Sequence, residues 1–98
     1  MAHKISIKLD VFSTTPLYVQ LSAEIKRLIA DGLLSAGEKL PSLRDLSRQL
    51  QISVITVRQA VQVLLEDGFI VARHGSGNYI SDVHATAAGG ASGSGEQG

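Results

Sequence analysis

The stretch SVITVRQAVQVLLED, residues 53 to 67, carries the clearest helical pattern in the chain. Ser53 is a favoured residue just before a helix, because its side-chain oxygen can accept a hydrogen bond from a backbone N–H of the first turn. Gly68 follows the stretch and can adopt the left-handed conformation that ends many helices. Apolar residues spaced i, i+3, i+4 and i+7 indicate one buried side of a helix. The residues with that spacing are Val57, Ala60, Val61 and Leu64.

A second face of the same helix is mostly polar. It consists of Ile55, Arg58, Gln59 and Gln62, which repeat the same spacing. Arginine and glutamine can each form two hydrogen bonds with a base edge in the major groove of DNA. This face therefore suggests a recognition helix, although the helix taken alone fits an ordinary surface helix better.

A shorter helix is predicted immediately before this one. Ser42 can cap its start after Pro41, and Asp45 stands where a capping box places its acid. Arg44 and Arg48 are four residues apart and share an exposed face. The predicted buried residues are Leu43, Leu46 and Leu50. Two helices joined by a link of two residues, 51 and 52, form a candidate helix-turn-helix.

A β-hairpin is predicted directly after the helix-turn-helix. Residues 69–73 are rich in β-branched and aromatic side chains, which favours a strand. Residues 74–77, His-Gly-Ser-Gly, form a turn, and residues 78–81 return as a second strand. In this position the hairpin would be the wing of a winged helix.

The N-terminal third is predicted to contain one more helix. Thr15 is an acceptable cap, Pro16 is favoured at the first helical position, and Gly32 closes the helix. Its apolar stripe is Leu17, Leu21, Ile25 and Leu28. Upstream, alternating apolar residues predict a short half-buried strand or an extended arm, namely Ile5, Ile7, Leu9 and Val11. Downstream, the connection over residues 33–40 is expected to include a short piece of strand around residues 39 and 40.

The composition limits the classes of function. The 98 residues have room for one small domain, and nine basic residues balance nine acidic ones, so a basic surface must come from local placement. The absence of cysteine excludes disulfides, cysteine-based zinc sites and a cysteine nucleophile. The sequence has no paired-carboxylate motif, metal-ligand spacing or phosphate loop. No apolar run approaches the length of a membrane span. We therefore expect a cytoplasmic protein that is neither an enzyme nor a membrane protein.

Several motifs together resemble the winged-helix DNA-binding domain of the GntR family of bacterial transcription regulators, over residues 9–81. The motifs are Pro16-Leu17-Tyr18 with Gln20, Gly32-Leu33-Leu34, Leu40-Pro41-Ser42 with Arg44 and Leu46, Thr56-Val57-Arg58 with Ala60, Asp67-Gly68-Phe69-Ile70, and Arg73 with Gly75 and Gly77. The segment before the first helix and the wing are most similar to the MocR and YtrA branches. The TVRQA segment also occurs in the HutC type, so the branch stays open.

The resemblance implies a mainly α fold with a small β-hairpin wing: three helices and an antiparallel sheet of two to three strands. We expect an N-terminal arm at residues 1–8, the winged helix-turn-helix at 9–82, and a linker or tail rich in Gly, Ser and Ala at 83–98. Family members carry an effector domain after the linker. This chain is expected to be the DNA-binding part alone, or a naturally short regulator, with no cofactor of its own.

The resemblance also implies roles for single residues. Arg44 would contact a phosphate or a base, and the wing-tip residues His74 and Gly75 would approach the minor groove. On the recognition helix the resemblance implies that Ser53, Thr56 and Arg58 contact phosphate and the major groove. The position of Val54, Ile55 and Gln59 on the same helix makes them further candidates. The family often has arginine in the slot held by Val54, and valine cannot donate to guanine. Val54 and Ile55 either turn inward or meet the thymine methyl group in the groove.

The expected function is sequence-specific binding of double-stranded DNA for transcription regulation. The partner would be a palindromic operator, bound by a homodimer of the intact protein or by two chains that pair on DNA. The alternative is a winged-helix module that docks onto another protein without binding DNA, which the near-neutral charge would also fit.

Overall fold

The computed structural model describes residues 7–82 and has the predicted order of elements. Three helices are followed by a hairpin: α1 (Leu17–Ala30), α2 (Leu43–Leu50), α3 (Val54–Glu66), β1 (Ile70–Arg73) and β2 (Gly77–Ile80). The two strands pair in antiparallel fashion and form a two-stranded sheet. Most of the predicted arm and the whole predicted tail lie outside the described residues. No helix within the described range is long and apolar enough to cross a membrane.

The predicted ends of α3 are confirmed. The Ser53 hydroxyl accepts a hydrogen bond of 3.0 Å from the backbone N–H of Thr56, which satisfies one donor of the first turn. At the other end Gly68 has a φ of 79°, a conformation that costs glycine little because it has no Cβ. These two residues therefore determine where α3 begins and ends.

The core forms where α1, α2 and the sheet meet one side of α3. The whole predicted stripe of α3 is buried, and Leu64 in its last turn is fully inaccessible to solvent. From the other elements the core takes Leu21, Ile25, Leu28, Ile29, Leu46, Ile70 and Ile80. Ile70 and Ile80 are paired residues of the hairpin, so the base of the wing belongs to the same core as the helices.

The link between α2 and α3 is as tight as predicted. Gln51 ends α2 in the left-handed conformation, with a φ of 58°, which costs a residue other than glycine roughly 1 to 2 kcal/mol. Two hydrogen bonds offset this cost: the backbone N–H of Ile52 donates to the Ser47 carbonyl, and the Ser47 hydroxyl donates to the Ile52 carbonyl. Ser47 thus holds the turn of the helix-turn-helix closed.

The predicted start of α1 was wrong by one position. Pro16, not Thr15, occupies the cap position, and no side chain caps this end. The backbone N–H groups of Val19 and Gln20 both donate to the Pro16 carbonyl. The carbonyl of Thr15 instead accepts from the side-chain amide of Gln20 at 2.8 Å. A glutamine within α1 therefore fixes the approach of the chain to the helix.

Of the strand or extended arm predicted before α1, the strand is absent from the described residues 7–11. Ile7 and Leu9 are half-buried against the core, so their alternation with exposed neighbours persists, but Val11 is exposed. The reason is that both backbone groups of Asp10 are bonded to the Gln20 side chain, at 2.8 and 3.0 Å. A strand partner would need those groups.

The importance of the α3 stripe can be tested by one pair of substitutions. Leu64→Ala should lower the free energy of unfolding by about 2 to 5 kcal/mol, because it leaves a cavity at a fully buried position. Leu33→Ala makes the same change at an exposed position and should alter stability by no more than about 0.5 kcal/mol. Urea unfolding followed by circular dichroism measures both, and an equal loss in the two variants would contradict the assigned core.

Candidate nucleic-acid interface

The outer face of α3 is exposed as the spacing predicted. Ile55, Arg58, Gln59 and Gln62 all face solvent, and Ile55 keeps 70% of its surface exposed. The possibility that Ile55 folds inward is therefore wrong. Gln62 donates to Glu66 at 3.2 Å, whereas Arg58 forms no ion pair within residues 7–82. The first two turns of α3 thus present a cation and an amide to solvent.

Val54 does not share this exposure. Its side chain is half-buried. The physical reason is helical periodicity, because residue 54 lies three positions before Val57 and seven before Val61, both of which are buried. Val54 therefore lies at the edge of the core side of α3, and Ile55 lies on the outer side.

The two hydroxyl groups at the start of α3 differ in what they can still bind. The Ser53 hydroxyl accepts from the Thr56 backbone and donates to the Thr56 side-chain oxygen at 3.0 Å. Its donor is therefore occupied within the protein. The Thr56 oxygen accepts that bond, and its own O–H can donate to a ligand. Of the pair, Thr56 is the better placed hydroxyl donor.

The basic residues from α1 onward fall into two groups according to their partners. Lys26 lies 2.6 Å from Asp67, and Arg27 lies 2.8 Å from Glu24. The hydrogen bond to Glu24 raises the pKa of the Arg27 guanidinium above its ordinary value, so this cation is stabilised by its acidic neighbour. These paired residues lie on α1 or connect α1 to the end of α3, away from the outer face of the first turns of α3.

The second group lies on the helix-turn-helix and the wing. Among residues 7–82, Arg48 has only a long pairing with Asp45, at 3.6 Å. Four further cations form no ion pair with any residue that the structure describes, and they are Lys39, Arg44, Arg58 and Arg73. Lysine and arginine side chains without acidic partners are available to neutralise phosphates. The net charge of the chain is near zero, but its paired and unpaired cations are therefore unevenly distributed over the described surface.

The wing places its tip in solvent. His74 and Gly75 are exposed, and Gly75 has a φ of 75°, which matches the predicted turn. Next to the tip, the Arg73 guanidinium lies over the Tyr79 ring, with 5.1 Å between its central carbon and the ring centroid. The Tyr79 hydroxyl is hydrogen-bonded to Ser76. The Tyr79 side chain thus contacts residues on both sides of the wing tip, Arg73 and Ser76.

The base of the wing includes Lys39, which lies outside the predicted hairpin. Lys39 forms a single bridge with Tyr79, and its side chain crosses Gly77, where a Cβ would lie 3.0 Å from the lysine Cε. This bridge is a pairing of one residue and is shorter than the piece of strand expected around residues 39 and 40. The stacking of Arg73 on Tyr79 could have been anticipated from the register, because Arg73 pairs with Gly77, two residues before Tyr79.

Comparison with known proteins agrees with this arrangement. Residues 17–80 match the family described as bacterial regulatory proteins, gntR family. The chain belongs to the GntR family. It is 37% identical over 76 residues to the transcriptional repressor YtrA of Bacillus subtilis, covering 78% of this chain and 58% of that repressor. The chain spans less than two thirds of the length of the curated relatives it matches first.

Solved structures of the family share the fold. YtrA from Sulfolobus acidocaldarius, a GntR-family transcription factor, superposes with a TM-score of 0.74 and 40% identity, over 76% of this chain and 79% of that one. The AraR DNA-binding domain, solved in complex with operator ORX1, superposes with a TM-score of 0.68 and 25% identity, over 83% of this chain and 100% of that one. Residues 7–82 thus form a winged-helix DNA-binding domain of the GntR type, the kind used in transcription regulation.

Within residues 7–82 no group of three or more histidine and acidic side chains could hold a metal ion. The arrangement offers hydrogen-bond donors and cations on an exposed helix face and hairpin.

Substitutions of Ser53 separate its role as the cap of α3 from a role in contacting DNA. Ser53→Ala should lower the free energy of unfolding by about 1 kcal/mol, because the cap is lost. Ser53→Asp and Ser53→Asn should both keep the cap, but aspartate brings a negative charge towards the DNA backbone. Aspartate should therefore weaken duplex binding by at least about tenfold relative to asparagine, as measured by fluorescence anisotropy. Equal affinities for the Asp and Asn variants would show that DNA does not approach this helix end.

Proposed function

We propose that this chain binds specific sequences of double-stranded DNA with α3 in the major groove and the tip of the wing at the minor groove. The observation that carries the proposal is the exposed start of α3, where Arg58 and Gln59 face solvent beside the free donor of Thr56. In helix-turn-helix docking the N-terminal part of the second helix contacts the base edges. The proposed reading residues lie in that part of α3.

The positions of the unpaired cations support this mode of binding. Arg44 is exposed in the first turn of α2, and the first helix of the motif crosses the DNA backbone in such complexes. Arg44 would therefore contact a phosphate. Arg58 would contact a base edge in the major groove or a phosphate beside it. Arg73 stands beside His74 and Gly75, where it would increase the attraction of the wing for the backbone.

We propose further that the natural target is a palindromic operator read by two copies of the domain, within a cytoplasmic transcription regulator. A protein dimer with twofold symmetry presents two recognition helices to two half-sites, about one helical turn or a multiple of it apart. Selection of bound duplexes from a random pool tests the proposal directly. A palindromic consensus supports it, and the absence of any enriched sequence contradicts specific binding.

Duplex binding should depend steeply on salt. Each phosphate neutralised contributes roughly −0.9 to the slope of log affinity against log salt concentration. Arg58→Ala should weaken binding to the selected duplex by about 1 to 3 kcal/mol, more than any other single arginine substitution. Arg27→Ala removes a cation that is already paired and serves as the control, which should bind like the parent.

Anisotropy titrations at several salt concentrations measure both the affinity and the slope. A salt-independent affinity, or none for any duplex, would overturn the proposal and favour a protein-docking module. Parental binding by Arg58→Ala would show that a different face of α3 meets DNA.

The isolated chain should be mainly a monomer. Its large exposed apolar residues within residues 7–82 are spread over several elements and form no continuous stripe on one helix. It should bind one half-site weakly and two correctly spaced half-sites more tightly, because the second contact benefits from a high effective concentration. Sedimentation velocity at low micromolar concentration tests the first statement, and a tight dimer there would contradict it.

A further inference from the structure

Ile55 is the exception on the outer face of α3. The other apolar residues of this helix are buried or half-buried, whereas Ile55 keeps 70% of its surface in contact with solvent. Its neighbours one turn further along the same face are Arg58 and Gln59, both polar and exposed. A large apolar side chain therefore projects alone from the face that the proposed function places in the groove.

The side chain is also well suited to a defined contact. Isoleucine is branched at Cβ, and in a helix about 90% of such side chains adopt a single χ1 rotamer. Ile55 lies in the first turn of α3, which begins at Val54, and the neighbouring cap at Ser53 fixes that turn. Little conformational freedom is therefore left to lose when this side chain meets a ligand.

We propose that Ile55 contacts the 5-methyl group of a thymine and so selects thymine at one position of each half-site. This inference rests on the proposed function. Among the groups that base pairs present in the major groove, the thymine methyl is the apolar one. Val54 is not part of the contact, because its side chain is half-buried at the edge of the core side of α3, whereas Ile55 is exposed.

A protein partner fits Ile55 less well. Protein interfaces are anchored by clustered apolar side chains at their centre, and Ile55 is the one large exposed apolar residue that the structure describes on α2 or α3. The unpaired cations Arg44 and Arg58 belong to the same two helices. This combination of one apolar side chain with surrounding donors matches a base edge and backbone phosphates.

The test replaces single thymines by uracil in the selected duplex, which removes only the methyl group. Uracil at that position in a single half-site should weaken binding about fourfold, the factor that corresponds to the burial of one methyl-sized group. In Ile55→Ala the same uracil duplex should bind as well as the thymine duplex. Val54→Ala is the matched control, and it should keep the full sensitivity to uracil.

The possible results separate this inference from the proposed function. Binding of a specific duplex without sensitivity to any uracil overturns the role of Ile55 and leaves the proposed function intact. Sensitivity that persists in Ile55→Ala, or vanishes in Val54→Ala, also overturns it. Failure to bind any duplex overturns the proposed function itself. Urea unfolding of both variants shows that they fold, and Ile55→Ala should match the parent because the residue is exposed.

Discussion

The burial of one side of α3 is the constraint on which the rest of the domain depends. Val57, Val61 and Leu64 hold the helix against its neighbours and thereby fix its rotation about its own axis. A rotation by a single residue step would bring Arg58 towards the core, where an unpaired charge costs several kcal/mol. The packing of the hydrophobic core therefore also determines the orientation of the candidate DNA-binding face.

Electrostatics adds a second level of organisation that the net charge does not show. Acidic residues neutralise the cations of α1 locally, as in the pairs of Lys26 with Asp67 and Arg27 with Glu24. The cations of the helix-turn-helix and the wing lack comparably close partners in the described range. At physiological ionic strength charges interact over only about 8 Å, so a phosphate meets these nearest cations and not the neutral average of the chain.

The features that the sequence predicted correctly are local ones. The bounds of α3, its buried stripe and the hairpin follow from spacing and from residues at helix and strand ends. The start of α1 and the absence of a strand at residues 7–11 depend on the side chain of Gln20, which bonds to Asp10 and Thr15. The spacing of apolar residues along the sequence does not predict such a side-chain hydrogen bond. The half-burial of Val54 was readable from its spacing to Val57, and the stacking of Arg73 needed the register of the strands.

The side chains on the outer face of α3 contribute little to the stability of the fold, so they can change during evolution without unfolding the domain. Under the proposed mode of binding, the side chains that would choose the operator are Ile55, Arg58 and Gln59, all of which are exposed. Substitutions at exposed positions usually leave stability within about 0.5 kcal/mol. A duplicated copy of the domain could therefore move to a new target through a series of single changes, each of which leaves a folded protein. Divergence of targets would then be limited by loss of the old operator and not by loss of the fold.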